Sequence, residues 1–446
     1  MSRPSPALGI APPPSPLRRV IVVCHQYPPW NLGGLAEYAE RSLHHLRHEH
    51  PELRLTLFTM NCPDDFPPRE LDADGVEIRR PRMPRGLKRR LLEPGSRRSL
   101  GGQGWFGLAL LHFNLTVFLA LLRSRPRHAV VAVHDWQSAP AGILAATLLR
   151  LPTVYHVHNT ELTMTTGSEL PDPFGLIGAV QRWMSRFGTS IIAPTPEMRA
   201  LLVRHGWPAD RIRVVPHGYE DHGPAPAAHA VEEAPNSARR ELAAAFGLPP
   251  EARILVFAGR LSRVKGVHLL LRALPSIAER HPDVRLFVLG AGLAGSDQDA
   301  EVSRLVTELR LRDRVHVYHR HLPHEQVQRH YLAAEVCVFP STYEPFGLVS
   351  VEAMSSGVPV VLGPGFSETI AHDGRDRAAL RMTGDSPAEL ARLVVSLLDD
   401  PAGAARLGRR GREHVLRSFR WSTAVSATLA VYRQAVSRRS GAEVAG

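Results

Sequence analysis

At 446 residues the chain is longer than one hydrophobic core usually serves, which argues for two domains. Apolar residues make up 44% and charged residues 22%, an ordinary soluble composition, and the net charge of +11 leaves room for an anionic partner. Cys24, Cys62 and Cys337 lie far apart without CxxC spacing, which excludes a disulfide framework and a cysteine zinc site and points to a reducing, cytoplasmic setting.

In chain order, residues 1–17 are Pro-rich and lack a long apolar core, so they read as a disordered tail rather than a signal peptide. Strands are predicted at 18–27, 54–60, 129–135, 153–159 and 190–195, and again at 253–259, 285–290, 314–318, 336–341 and 358–363. They are short, unbroken in apolarity and separated by helical patterns, which specifies parallel sheets covered on both faces. The fold class is α/β, with two doubly wound Rossmann-like domains. The polar, Pro- and Ala-rich stretch 221–241 reads as a flexible insertion near the linker. Residues 79–98 hold nine basic residues against Glu93, just before the apolar stretch 105–122. His112, Asn114 and Thr116 interrupt that stretch, so a buried helix is expected rather than a membrane span. Peripheral membrane contact through residues 79–122 and a merely solvated loop are the two readings of the basic run.

In such sheets, ligands bind beyond the carboxyl ends of the strands. RILVFAG leads into RLSRVK, and a helix follows from about Gly266, so Arg260 and Lys265 flank a strand-to-helix loop whose free N–H groups suit phosphate. Lys265 and Lys88 are the only lysines in a chain of 54 basic residues, so the choice of ammonium at this loop is informative. A lysine is a mobile point charge that follows a departing phosphate, whereas the arginine fork fixes one geometry. Downstream, STYEPFGLVSVEAMSSGVPVV (341–361) carries Glu344 in a loop and Glu352 in a helix predicted to start near Phe346. Glu352 lies deep enough to accept ribose hydroxyls, and Gly347 removes a side chain beside the amides that would approach a diphosphate.

The E-x7-E pair at 344 and 352, with GRLSRVKG upstream, resembles the retaining GT-B glycosyltransferases of family 4 and their glycogen and starch synthase relatives. The likeness runs from about residue 18 to the C-terminal helix and includes NLGGLAEY (31–38), VHDWQSAPAG (133–142) and YHVHNTE (155–161). It implies Arg260 and Lys265 on the donor diphosphate, Glu352 on the ribose and Glu344 near the donor sugar. Gly33, Gly34, Gly259, Phe346, Gly347 and Leu348 would complete the donor site. His158 would reach the transferred hexose, and Asp135 and Asn159 would belong to the sugar or acceptor side. The family uses no cofactor and usually no metal, so the expected partners are an ADP-, UDP- or GDP-hexose and a glycan or other hydroxyl acceptor, not nucleic acid.

Three departures weaken ADP-glucose and glycogen synthesis specifically: Asn31 where a lysine is usual, His217 in a hinge commonly read PNG, and YHRHL (318–322) in place of a small glycine turn. Competing readings are a transferase acting on a lipid or small-molecule acceptor at a membrane surface, a nucleotide-sugar epimerase of the same fold, and a non-catalytic sugar-binding subunit. The resemblance divides the chain into residues 18–215 (acceptor side), 216–418 (donor side) and 419–446 (a crossover helix and tail).

Overall fold

The structure is a computed structural model that describes residues 17–29, 34–62, 66–92, 100–160, 175–220, 230–249, 251–292 and 297–444. Its strands form two sheets. The first contains β1 (Arg19–Val23), β2 (Arg54–Phe58), β3 (Arg69–Leu71), β4 (Glu77–Arg79), β5 (Ala129–His134), β6 (Thr153–His156), β7 (Ser190–Ala193) and β8 (Ile212–Val214). The second contains β9 (Arg253–Ala258), β10 (Val284–Leu289), β11 (Val315–Val317), β12 (Val336–Phe339), β13 (Val360–Leu362) and β14 (Leu380–Arg381). Their orders are β3-β4-β2-β1-β5-β6-β7-β8 and β11-β10-β9-β12-β13-β14. Pairing is parallel except between β3 and β4.

Alternation within each strand explains the unbroken apolarity. Val20 and Val22 of β1 face one apolar cluster, and Ile21 and Val23 face another on the opposite side of the sheet. In β9, Leu255 and Phe257 oppose Ile254 and Val256 in the same way. The order reverses between β1 and β5 in one sheet and between β9 and β12 in the other, and at such reversals loops diverge and open a crevice. The helix Trp421–Val444 returns to the first sheet, burying Trp421, Leu429, Tyr432 and Ala435 beside Val20, Val22 and Leu43.

Two expectations are corrected. The stretch 221–241 is not flexible throughout, because helix Ala230–Ala245 begins within it. Ala, Glu and Arg favour the helix, and Leu242 and Ala238 pack on the second domain's core. Arg239 also donates to Glu335 Oε1 at 2.8 Å. Residues 221–229 of that stretch lie outside the described residues, as do the tail residues 1–16 and residues 93–99 of the basic run. The second correction concerns the apolar stretch, which forms helix Leu100–Ser124 but is buried on one face only. Phe113, Val117 and Leu121 sit in the core, while Leu111 is 61% exposed. Asn114 holds the buried face in place: its amide donates to Leu110 O and Gln137 O, and its oxygen accepts from Ala141 N.

Candidate active site

Both order reversals deliver their loops to one cleft. After β9, Gly259 adopts φ +146°, and the short 3-10 turn Arg263–Lys265 leads through Gly266, at φ +76°, into helix Val267–Arg280. A Cβ on Gly266 would lie 2.1 Å from Pro340 O, so only glycine lets this loop rest on the loop that follows β12. Thr342 N donates to Val264 O at 2.9 Å, joining the two loops. Lys265 Nζ then donates to Glu344 Oε2 at 2.6 Å, and Ser341 Oγ approaches the same oxygen at 3.4 Å. Glu344 is therefore not open to the cleft mouth; it is 9% exposed and held by Lys265. Arg260 precedes this loop and is half-buried.

Helix Leu348–Ser355 starts two residues later than expected, with Gly347 as its N-cap at φ +95°. Phe346 is buried beneath it, 4.8 Å from the His217 ring. Glu352 sits one turn in, and burial with the nearby Glu37 carboxylate pushes it up to about 8. Glu37 belongs to the first turn of helix Gly34–Glu49, which follows β1. A Cβ on Gly34 would stand 3.5 Å from the Leu348 side chain, so two helix N-termini, one from each sheet, face each other across the cleft. Helix N-termini so placed can together hold an anion through their free N–H groups and dipoles. Gly33 lies outside the described residues.

On the first domain's side, Asp135 opens helix Asp135–Thr147 with φ +56°, a backbone conformation that non-glycine residues seldom adopt. Its Oδ1 accepts the His158 and Asn159 amides at 2.7 and 3.1 Å, and burial raises its pKa to about 7. Asp135 thus clamps the ends of β5 and β6 together. Asn159 Oδ1 accepts from Thr160 N and, across the cleft, from the Tyr343 hydroxyl at 3.5 Å. His158 Nε2 shares a 3.0 Å hydrogen bond with His134 Nδ1. The rings of His134, His156 and His158 lie within 16° of parallel, and Tyr432 takes up His156 Nε2 at 2.9 Å. Three such imidazoles are near enough to suggest a metal site. Stacked rings already paired through these nitrogens form a hydrogen-bonded ladder instead, because metal ligands must aim their lone pairs at a common point. Desolvation holds all three neutral, and it lowers His217 to about 3.

The motifs at 31–38 and 341–361 contain Glu37, Tyr38 and Tyr343, but motif reading gives these three no role, and it treats His217 only as a departure. His217 lies between His158, at 5.2 Å, and Phe346, with Tyr38 packed 4.5 Å from it. It therefore bridges the two domains. The adjacent Gly218 is required for packing, because a Cβ there would strike the Trp421 ring at 2.2 Å.

Known families match both halves. Residues 33–218 match the Glycosyl transferase 4-like domain, and residues 238–414 match Glycosyl transferases group 1. D-inositol 3-phosphate glycosyltransferase of Xylanimonas cellulosilytica is 33% identical over 322 residues, covering 71% of this chain and 74% of that one. The chain is a family 4 GT-B glycosyltransferase. This glycosyltransferase is also 28% identical over 429 residues to glycogen synthase of Mycobacterium tuberculosis, covering 93% and 94% of the two chains. Its fold matches sucrose-phosphate synthase of Thermosynechococcus elongatus with a TM-score of 0.73 at 22% identity, over 94% and 98% of the chains. The glycosyltransferase thus keeps the two-domain cleft, and Lys265, Glu344 and Glu352 stand on the second domain's wall of it.

Proposed function

We propose that the enzyme transfers a hexose, glucose in the first instance, from a nucleoside diphosphate sugar to a hydroxyl acceptor with retention of anomeric configuration. The observation carrying this reading is the ion-paired Lys265 beside two opposed helix N-termini. Arg260, Lys265 and the helix amides meet the diphosphate and the charge it gains on leaving. Glu352 accepts the ribose hydroxyls, and Glu344 stands by the donor sugar. His158, held by the Asp135 clamp, and Asn159 face the hexose from the first domain.

A double displacement needs a carboxylate nucleophile at the anomeric carbon. On the first domain's wall Asp135 is already engaged by two backbone amides, and Glu37 stands beside Glu352, on the proposed ribose side rather than at the sugar. Front-face attack is therefore favoured. The bond from the anomeric carbon to the diphosphate oxygen breaks, the acceptor oxygen bonds to that carbon on the same face, and its proton passes to the leaving phosphate. No metal takes part in this scheme.

Relatives named for glycogen and for inositol phosphate put both acceptor classes, an α-glucan and a phosphorylated polyol, on trial. The test is turnover and binding of ADP-, UDP- and GDP-hexoses with each acceptor, for the native enzyme, Lys265→Arg and Glu352→Ala. One donor turned over by the native enzyme and lost in both variants supports the reading. No donor bound, with the variants indistinguishable from native, overturns it.

A further inference from the structure

Helix Leu100–Ser124 presents two unlike faces. Ala109, Phe113, Val117 and Leu121 are buried against the first sheet. Leu108, Leu111, Leu115 and Leu122 are 49%, 61%, 49% and 38% exposed. Steps of three, four and seven residues set these four in one line along the helix. At 1.5 Å per residue the line is about 21 Å long. A second exposed row, Leu176, Trp183 and Phe187, runs along helix Leu176–Phe187, with helix Asp135–Thr147 packed between the two.

Cations frame both rows. Arg82, Arg85, Arg89 and Arg90 are exposed alongside the first half of the helix, with Arg82 O bonded to His112 Nε2 at 3.0 Å and Arg90 over the Trp105 ring at 5.9 Å. Arg123, Arg125 and Arg127 are exposed at the other end, and Arg182 and Arg186 flank Trp183. Within 100–150 and 175–187 the sole carboxylate is Asp135, which is buried in the cleft. Apolar rows of this extent on a soluble surface mark a docking site. A second copy of the same face would set arginine against arginine, so the charge favours an anionic partner. A transmembrane span is excluded by the buried face: Phe113 and Val117 belong to the first domain's core.

We propose that this face seats the first domain on an anionic lipid bilayer. Helix Leu100–Ser124 lies flat at the headgroup level, with its leucines and Trp105 and Trp183 toward the acyl chains and its arginines on lipid phosphates. Both helices run back to begin β5 and β7, so their first turns lie at the sheet edge that carries Asp135 and Asn159. The cleft then opens beside the lipid surface. The proposal does not depend on the donor reading.

The test is co-sedimentation and tryptophan emission of the full chain with phosphatidylcholine vesicles, alone or with about 30% phosphatidylglycerol, at low salt and at about 0.5 M NaCl. The variants are Leu111→Ser/Leu115→Ser and Arg85→Glu/Arg89→Glu. The expected result is binding to the anionic vesicles alone, with a blue-shifted emission. Either variant and high salt should each weaken binding by roughly tenfold or more, with native melting temperatures because the replaced side chains are exposed. No binding to anionic vesicles, or equal binding by native and variants, overturns the proposal. So does a native dimer, without vesicle binding, that the leucine variant dissolves; that result assigns the face to a second copy.

Discussion

Lys265 and Glu344 show what an ion pair in the candidate site costs and supplies. Replacing Lys265 by alanine strands a carboxylate that is 7% exposed at its side chain. Removing one partner of a fully buried pair costs about 3–5 kcal/mol; with the ammonium 19% exposed, the loss should be nearer 2 kcal/mol by denaturant unfolding. Lys265→Arg keeps the charge and the stability but loses the mobile point charge, so kcat should fall by roughly 10²-fold with little change in melting temperature. Glu352 supplies a pH signature. Its folded pKa of about 8 lies above its ordinary 4.5, so the native state holds a proton that the unfolded chain releases between those values, and stability falls as pH rises through that window. Glu352→Gln should remove this slope, gaining stability relative to native most at about pH 8 and above and least near pH 4.5, as read from melting curves. Donor affinity should show the opposite trend. Ribose hydroxyls donate to the ionised carboxylate, so native affinity should rise toward pH 8, while the Gln variant stays weak and flat in titration calorimetry. At this scale the sequence was legible where motif spacing set residues on neighbouring loops: Lys265 and Glu344 were expected at one cleft, and the structure brings them into contact. Glu37, Tyr38 and Tyr343 lie inside the motifs at 31–38 and 341–361 but gained no role there, because their partners Glu352, His217 and Asn159 come from distant segments of the chain. His217 was visible only as an oddity, since its role is to touch both domains at once.

Loops and helix starts shape the candidate site. Gly347 caps helix Leu348–Ser355 at φ +95°, and a Cβ there would lie 2.3 Å from the Phe366 ring. Gly347→Ala should therefore cost about 1–3 kcal/mol and weaken donor binding together, because relief of the clash tilts the helix start. Gly290→Ala should cost at least as much, since its Cβ would meet the backbone oxygen of Gly259 at 2.0 Å and neither backbone can yield without moving the start of the Arg260 loop. Equal donor affinity for native and Gly347→Ala, measured by calorimetry, would show that the helix start tolerates the shift. All ten expected strands are present because each is an apolar run between turns. β3, β4, β8 and β14 escaped notice: they are two or three residues long, and all lie at or next to a sheet edge, where charged residues such as Arg69, Glu70 and Glu77 are tolerated. The helix Ala230–Ala245 was misread because Pro235 and the neighbouring loop composition masked its packing on the second core.

The whole molecule is joined by Gly218, His217 and the helix Trp421–Val444. Truncation before Trp421 should yield insoluble protein, because Val20, Val22 and Leu43 lose the side chains that cover them. Tyr432→Phe is the milder probe. It removes the bond to His156 Nε2, whose ring already has a buried, unpartnered Nδ1, and should cost about 1–3 kcal/mol in chemical denaturation. The same arrangement has a consequence for biosynthesis. The last strand of the first sheet ends at Val214, and the helix that covers that sheet begins at Trp421, about 200 residues later in the chain. At about 5–20 residues per second, a ribosome takes roughly 10–40 s to travel between them. Throughout that interval the nascent first domain carries an apolar face that helix Gly34–Glu49 covers only in part, long enough for chaperones to engage it, and its folding finishes only after the second domain has been made.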